Sequence, residues 1–338
     1  MDYREAGVDI TAADAAKQRI KHLARGTFNA GVLSEIGSFG GLFRPDFASY
    51  QEPVLVSSTD GVGTKIQVAR MMGVHDTVGY DLVAHCVNDI LVQGAVPLFF
   101  LDYLALGRMD PVRVEAVVSG VARACQEFGC PLVGGETAEM PGTYADDDYD
   151  LAGFIVGVVD RTKALPAGVA AGDALLGLPS AGLHTNGYSL ARQALFGRAG
   201  YEPTTVLPEL GTSVGAALLA PHRSYLAALE GLIERGRIRA LAHITGGGFP
   251  GNIPRVLPDG LGALVRRGSW EVPPLFRRIQ QAGEVPEDEM FRTFNMGIGM
   301  VVVVAADDLH EVEHSLERRG EPTFLIGSVV EGSGVTFE

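Results

Sequence analysis

Apolar positions take up helical spacing at the start of the chain, where Thr11 and Asp14 precede Ile20 and Leu23 and predict a helix with Thr11 as its N-cap. A glycine-rich loop, Gly37-Ser38-Phe39-Gly40-Gly41, follows. The β-branched run from Pro53 to Ser58 predicts a strand ending at Thr59-Asp60-Gly61, and helices are expected over Thr64 to Met72 and Thr77 to Gln93. Leu98 to Leu106 reads as a buried strand interrupted by Asp102. Asp110-Pro111 opens a helix that Gly129 stops, with proline first and glycine last. Pro131 to Val133 and Leu151 to Val159 predict strands on either side of an acidic loop, Asp146-Asp147-Asp148.

Between Arg161 and Asp173 the pattern lapses into Pro166, Gly168, Gly172 and scattered alanines, which predicts a link between a domain of residues 1–165 and one of 166–338. Beyond it, Ala174 to Leu178 predicts a strand, Tyr188 to Arg198 a helix, and Ser213 to Arg235 a helical stretch broken at Pro221. Strands at Ile238 to Thr245, Leu261 to Val265, Gly299 to Ala305 and Phe324 to Val330 alternate with helices near Ile253, Phe276 and Leu309. The expected class is α+β, and 338 residues suit two domains of about 150 each.

Composition narrows the partners. Lys and Arg number 27 against 41 Asp and Glu, a net charge of −14 with no basic run, which argues against a nucleic-acid groove or an anionic membrane surface. Cys86, Cys125 and Cys130 form neither a CxxC nor a disulfide framework, so a reducing cytoplasm is expected. No basic start leads into an apolar run, so no signal peptide is expected, and Gly297 to Ala306 is too short to span a bilayer. Glycine is the outlier at 44 residues, which turns attention to loops where backbone approaches a ligand.

Five constellations carry candidate chemistry. Asp60-Gly61-Val62-Gly63-Thr64-Lys65 joins a strand to a helix, so its N–H groups can face a phosphate, with Asp60 suited to a hard cation and Lys65 supplying positive charge. It is not a Walker A motif. On the next helix Asp81, His85, Asn88 and Asp89 share a stripe of about 100° on an otherwise apolar cylinder. That stripe is either a cation site or a solvent-facing band. Gly134-Gly135-Glu136-Thr137-Ala138-Glu139-Met140-Pro141-Gly142 reads as a strand-end loop with two carboxylates, Glu136 being a ligand, a proton-transfer group or a buried helix cap. His184-Thr185-Asn186-Gly187 offers a histidine that titrates near neutral pH, or an ordinary turn. Thr245-Gly246-Gly247-Gly248-Phe249-Pro250-Gly251-Asn252 matches Gly-x-Gly-x-x-Gly, yet the helix expected after it is too short for a dinucleotide unit and suits a phosphate monoester better. Two glycine loops with acids in only one half point to a metal nucleotide and a phosphorylated metabolite.

Taken in order with Tyr3 to Ile10, Cys86 to Asp89, Pro97 to Tyr103 and Arg292 to Gly297, these motifs resemble the phosphoribosylformylglycinamidine cyclo-ligase family over essentially the whole chain. The resemblance implies two α/β domains of the aminoimidazole ribonucleotide synthetase-like superfamily, with N-terminal sheets pairing in a homodimer and ATP bound near that interface. It implies a purine-biosynthetic ligase that converts formylglycinamidine ribonucleotide and ATP to aminoimidazole ribonucleotide, ADP and phosphate through a phosphorylated formyl oxygen. Carried over, Asp60 and Asp89 match the family's Mg²⁺-binding acids. Gly37, Gly40, Gly41, Gly61, Gly63, Thr64, Lys65, Gly135 and Glu136 fall on the ATP side. His184 and Asn186 match its His-x-Asn-Gly, and Gly246, Gly247 and Gly248 its substrate-phosphate loop. His184, Lys65 and Asp60 are the candidate catalytic residues, and K⁺ is a candidate second cation.

Many relatives have a lysine after the first helix where this chain reads Ala24-Arg25-Gly26-Thr27, so none is carried over there. Selenophosphate synthetase would want a cysteine near the first glycine loop, and none precedes Cys86; the hydrogenase maturation factor would want a C-terminal cysteine, and the chain ends Val335-Thr336-Phe337-Glu338. Thiamine-monophosphate kinase is the same-fold runner-up, and a nicotinamide oxidoreductase using Gly246 to Gly251 is the alternative from another class.

Overall fold

The computed structural model describes residues 10–338, so Tyr3 to Asp9 of the first motif lie outside the described residues. The first half runs α1 (Ile10–Arg25), β1 (Pro53–Gly61), α2 (Lys65–Met72), α3 (Asp76–Leu91), β2 (Val96–Leu106), α4 (Pro111–Glu127), β3 (Leu132–Glu139) and β4 (Tyr149–Asp160). Its strands form one sheet in the order β1-β4-β2-β3, antiparallel except for the β2–β3 pair, which α4 bridges as a crossover. Asp110 caps α4 by accepting the N–H groups of Val112 and Arg113, and Pro111 occupies its first position.

The second half comprises β5 (Ala174–Pro179), α5 (Tyr188–Arg192), β6 (Val206–Leu207), β7 (Thr212–Ser213), α6 (Val214–Leu218), α7 (Leu226–Glu234), β8 (Ala240–His243), α8 (Gly248–Asn252), β9 (Leu261–Val265), α9 (Pro274–Gly283), α10 (Glu287–Thr293), β10 (Ile298–Val304), α11 (Leu309–Glu317), β11 (Phe324–Glu331) and β12 (Val335–Phe337). Six of these strands make the second sheet, β12-β9-β11-β5-β10-β8, and every residue of β10 is buried. The α+β class holds in both halves.

α3 lies between the halves. It packs on β1 and β4 of its own sheet and on α4, and it also touches α7 and β8 of the second half. Its crossing with α4 is tight because Gly79 and Gly120 lack side chains: a Cβ on Gly120 would overlap the Asp76 carbonyl oxygen, and one on Gly79 that of Val117.

Several boundaries differ from the sequence reading, each because tertiary pairing extends or shortens an element. Thr11 lies inside the first helix, described over Ile10–Arg25, and is not its N-cap. β1 continues to Gly61, which pairs with Ala152 on β4, and β3 continues to Glu139 beside β2, so Asp60, Gly135 and Glu136 are strand residues. The stretch from Ser213 to Arg235 is two short helices with residues 219–225 between them, and Tyr188 to Arg198 loosens after Arg192 into a π-helical turn.

Candidate active site

One row of paired residues crosses the first sheet on the side of its helices: Asp60 on β1, Gly153 on β4, Asp102 on β2 and Gly135 on β3. Three strand spacings, about 14 Å, separate its ends. Asp60 stands under α3, and Gly135 opens onto a cavity at the β3 edge.

At the Asp60 end, His85 on α3 brings its Nε2 to 2.9 Å from Asp60 Oδ2 and 3.7 Å from Asp89 Oδ2. Asp60 Oδ1 accepts the Gly61 N–H at 2.7 Å. Asp89 accepts from Ser58 Oγ at 3.2 Å and lies 2.9 Å from His243 Nδ1 on β8. Burial pushes both carboxyls up. The hydrogen bond and charge of His85 outweigh it at Asp60, as those of His243 do at Asp89, so both acids sit below the usual carboxylate range. Burial pulls His85 down, but its bond to Asp60 and the charges of Asp89 and Asp60 raise it. The side chains of Asp60 and Asp89 are 46% and 23% exposed, which leaves oxygen open to solvent. Two ionised, partly open carboxylates suit a hard divalent cation that keeps several waters, so the donor set fits Mg²⁺.

The loop after β5 reaches this point from the second half. Thr185 Oγ1 is 2.6 Å from His85 Nδ1, Thr64 and Ser189 hydroxyls are 3.2 Å apart, and Asn186 Nδ2 is 3.5 Å from Thr185 Oγ1. Asn186 Oδ1 lies 3.3 Å from where a Gly246 Cβ would stand. The loop Gly246 to Gly248 is pinned by Asn252, whose Nδ2 donates to the carbonyls of Thr245, Gly246 and Gly248. The structure thus gathers Asp60, Gly61, Gly63, Thr64, Asp89, Asn186 and the Gly246–Gly248 loop at one junction.

The second group surrounds the cavity of about 570 Å³, lined by Gly37, Gly40 and Gly41 on one side and Gly135 and Glu136 on the other. Glu136 is exposed there, which removes the reading of a buried helix cap. Lys17 and Lys21 of α1 also line it, and Lys21 Nζ lies 3.2 Å from the position of a Gly37 Cβ. The sequence reading assigned neither lysine; their spacing of four on one helix face was the available signal. Arg25 instead pairs with Glu35 at 2.7 Å. Asp102 faces Gly135 in the same cavity, and burial pushes its carboxyl up to about 7.

Two candidates point inward. Lys65 is fully buried, 2.7 Å from Asp81 Oδ2 and donating to the Ala220 carbonyl at 2.8 Å, so its ammonium closes a buried ion pair and faces no phosphate loop. Asp81 also accepts the His222 N–H, so neither Asp81 nor His85 belongs to a solvent-facing band. His184 is 1% exposed with φ 61°, its ring stacked 4.0 Å from His222, and its Nε2 accepts the Ala181 N–H. Burial holds it well below the ordinary histidine range, which keeps it neutral. His184, His222 and His243 cluster closely enough to suggest a metal site. Their Nε2 atoms are engaged with one another or with neighbours: His184 Nε2 takes the Ala181 N–H, and His222 Nε2 lies 3.2 Å from Asn88 Nδ2 and 3.1 Å from His243 Nε2, while Nδ1 of His184 and of His222 is buried without a partner. His222 and His243, both buried, were missed by the sequence reading: His243 lies in an apolar stretch, and His222 follows Pro221 beside Arg223 and Ser224, where it reads as a residue of an exposed turn.

Comparison with known proteins gives this geometry its class. Two family models match in tandem: AIR synthase related protein, N-terminal domain, over residues 44–159, and its C-terminal domain over residues 170–338. The phosphoribosylformylglycinamidine cyclo-ligase of Trichlorobacter lovleyi is 52% identical over 328 residues, covering 97% of this chain and 94% of its own. That of Bacillus pumilus is 49% identical over 336 residues, covering 99% and 97%. The chain belongs to the AIR synthase related proteins and, within them, to the phosphoribosylformylglycinamidine cyclo-ligase family. Thiamine-monophosphate kinase from Stenotrophomonas maltophilia, at 21% identity, a TM-score of 0.67 and 96% of each chain, shares the fold alone. The same holds for the hydrogenase maturation protein HypE solved with ATP, at 18% identity, a TM-score of 0.66, and 94% and 88% of the two chains.

Removing one member of a buried ion pair costs about 3–5 kcal/mol. Lys65→Met is therefore expected to lower unfolding stability by that order, and adding Asp81→Asn to recover much of it. Denaturant titration checks this, and a Lys65→Met protein of normal stability that has lost only ATP affinity would return Lys65 to the phosphate.

Below about pH 4 Asp102 is protonated whether folded or unfolded, whereas between about 4 and 7 the unfolded chain alone gives up the proton. The raised carboxyl thus costs stability progressively across that window, and the full cost persists above it. Asp102→Asn is expected to melt higher than the parent at pH 8, with the gain gone at pH 4; a pH-independent difference would contradict the shift.

Proposed function

We propose that the protein closes the imidazole ring of formylglycinamidine ribonucleotide with ATP, releasing aminoimidazole ribonucleotide, ADP and phosphate. The observation that carries this reading is the junction where Asp60 and Asp89, both ionised, meet the Asn186 and Gly246–Gly248 loops of the other half, on a chain about half identical to cyclo-ligases. An amide oxygen is a poor leaving group. ATP first phosphorylates the formyl oxygen, and the amidine nitrogen then attacks the same carbon and expels phosphate. Such transfer rests on positioning and charge neutralisation.

Asp60 and Asp89 would hold Mg²⁺, which when bound neutralises charge on the triphosphate. Gly37, Gly40, Gly41, Gly135 and Glu136, with Lys17 and Lys21, form the nucleotide side on residues 1–165. Asn186 and Gly246 to Gly248 form the substrate side on residues 166–338. His184, neutral and hydrogen-bonded to the Ala181 N–H, shapes the loop that presents Asn186, and Lys65 anchors α2 to α3. The oxidoreductase alternative lacks its long helix, since α8 spans only Gly248–Asn252.

The far face of the first sheet carries Leu55, Phe154 and Tyr103, exposed by 61%, 41% and 38%, which supports pairing of this sheet with that of a second copy. Cys86, Cys125 and Cys130 are buried and free, which suits a reducing cytoplasm, and no helix among the described residues is long and apolar enough to cross a membrane.

Incubation with formylglycinamidine ribonucleotide, ATP and Mg²⁺, with and without K⁺, should yield aminoimidazole ribonucleotide; no product under any metal condition overturns the reading. Asp89→Asn keeps the size and removes the charge, so it is expected to lose most turnover at limiting Mg²⁺ while melting normally. Normal turnover would remove Asp89 from the cation site. Leu55→Glu with Phe154→Glu should convert a dimer to a monomer in sedimentation, and a parent that is itself monomeric would refute the pairing.

A further inference from the structure

His85 sits between the two halves of the proposed site, and the five groups touching it come from both. Its Nε2 faces Asp60 at 2.9 Å and Asp89 at 3.7 Å, its Nδ1 faces Thr185 Oγ1 at 2.6 Å, and its ring lies 5.1 Å from those of both His222 and His243. The imidazole is 3% exposed, so no water competes for either nitrogen, and α3 fixes its backbone through burial on both sides. A planar ring with a hydrogen-bonding nitrogen at each end holds its partners at a set separation and angle, so a shift of Thr185 must be matched at Asp60. Thr185 in turn touches Asn186, whose side chain borders the Gly246 loop.

We propose that His85 is a positioning residue that ties the cation-binding carboxylates Asp60 and Asp89 to the substrate-side loop through Thr185, so that each half is held in register with the other. This rests on the cyclo-ligase reading above. His85 touches neither reacting group, since an amide- or phosphate-bearing ligand would meet Asn186 and the carboxylates first. Its effect passes through the residues it orients.

The two ends of the ring can be cut separately. In His85→Gln the side-chain amide can stand where Nε2 stood and keep Asp60, while the Thr185 contact is lost. In His85→Asn the shorter amide can stand where Nδ1 stood and keep Thr185, while Asp60 is released. Mn²⁺, followed by the electron paramagnetic resonance of the free ion, reads the carboxylate end without turnover, and the KM for formylglycinamidine ribonucleotide reads the other. The expected split is Mn²⁺ affinity within about twofold of the parent but KM raised about tenfold or more for His85→Gln. For His85→Asn it is Mn²⁺ affinity lowered about tenfold or more with a smaller change in KM. Equal changes in both variants, or none, overturn the proposal. If neither variant folds, Thr185→Val and Thr185→Ser decide it: KM must rise with valine and return with serine, and no rise overturns it. A parent that binds Mn²⁺ but makes no product would refute the cyclo-ligase reading, and the Mn²⁺ contrast between the two His85 variants would still decide the carboxylate end of the tie.

Discussion

Four polar side chains on one face of a buried helix constrain everything else in this protein. Asp81, His85, Asn88 and Asp89 project from α3 where no water can satisfy them fully, and a buried polar group without a partner costs several kcal/mol. Every partner but a few comes from the second half. The His222 N–H donates to Asp81, the Tyr225 N–H donates to Asn88, Asn88 donates to the Arg223 carbonyl, and Thr185 and His243 meet His85 and Asp89. The segment from Ala220 to Tyr225, which has no regular structure, is held to the first half by this seam and to its own half by Arg223 on Glu321 and by Arg223 and Tyr225 on the Pro179 carbonyl, and Lys65 completes the seam from α2. Fold and site are therefore one problem: the contacts that join the halves also aim the acids.

The seam sorts charge by depth. Lys65 and Asp81, with no exposed surface, neutralise each other, whereas Asp60 and Asp89 sit nearer the solvent and are kept ionised by histidines. A cation therefore has oxygen donors only at the rim, where it can also retain water. The cavity at Gly135 lies across the sheet from that rim, and the Asp60–Gly153–Asp102–Gly135 row makes the connection rigid because paired strands cannot slip by one residue without turning every side chain over.

Strands, helices and the α+β class were legible along the chain because period-2 and period-3.6 patterns act over a few residues. Element ends were not: Gly135 and Glu136 look like loop residues in sequence, and only pairing with β2 makes them strand. Asp60, Asp89, Asn186 and the Gly246 loop, which the structure brings to one junction, were singled out from residue type and neighbours, since a carboxylate on an apolar helix or a glycine run at a strand end stands out locally. His222 and His243 were not, because His243 stands in an apolar stretch that reads as core and His222 in a Pro221-His222-Arg223-Ser224 run that reads as a turn.

Composition, motif order and the polar stripe on α3 were determined by the sequence alone, and so was the family. What tertiary structure decided was direction. Lys65 follows a phosphate-loop pattern yet turns inward, because a carboxylate in the second turn of another helix offers it an ion pair in a dry interior, and His184 turns inward because its backbone adopts a left-handed conformation against Gly299 and His222. Local sequence states what a side chain can do. Which partner it finds depends on residues far along the chain, such as Thr185 for His85, 100 positions away, and no local pattern encodes that distance.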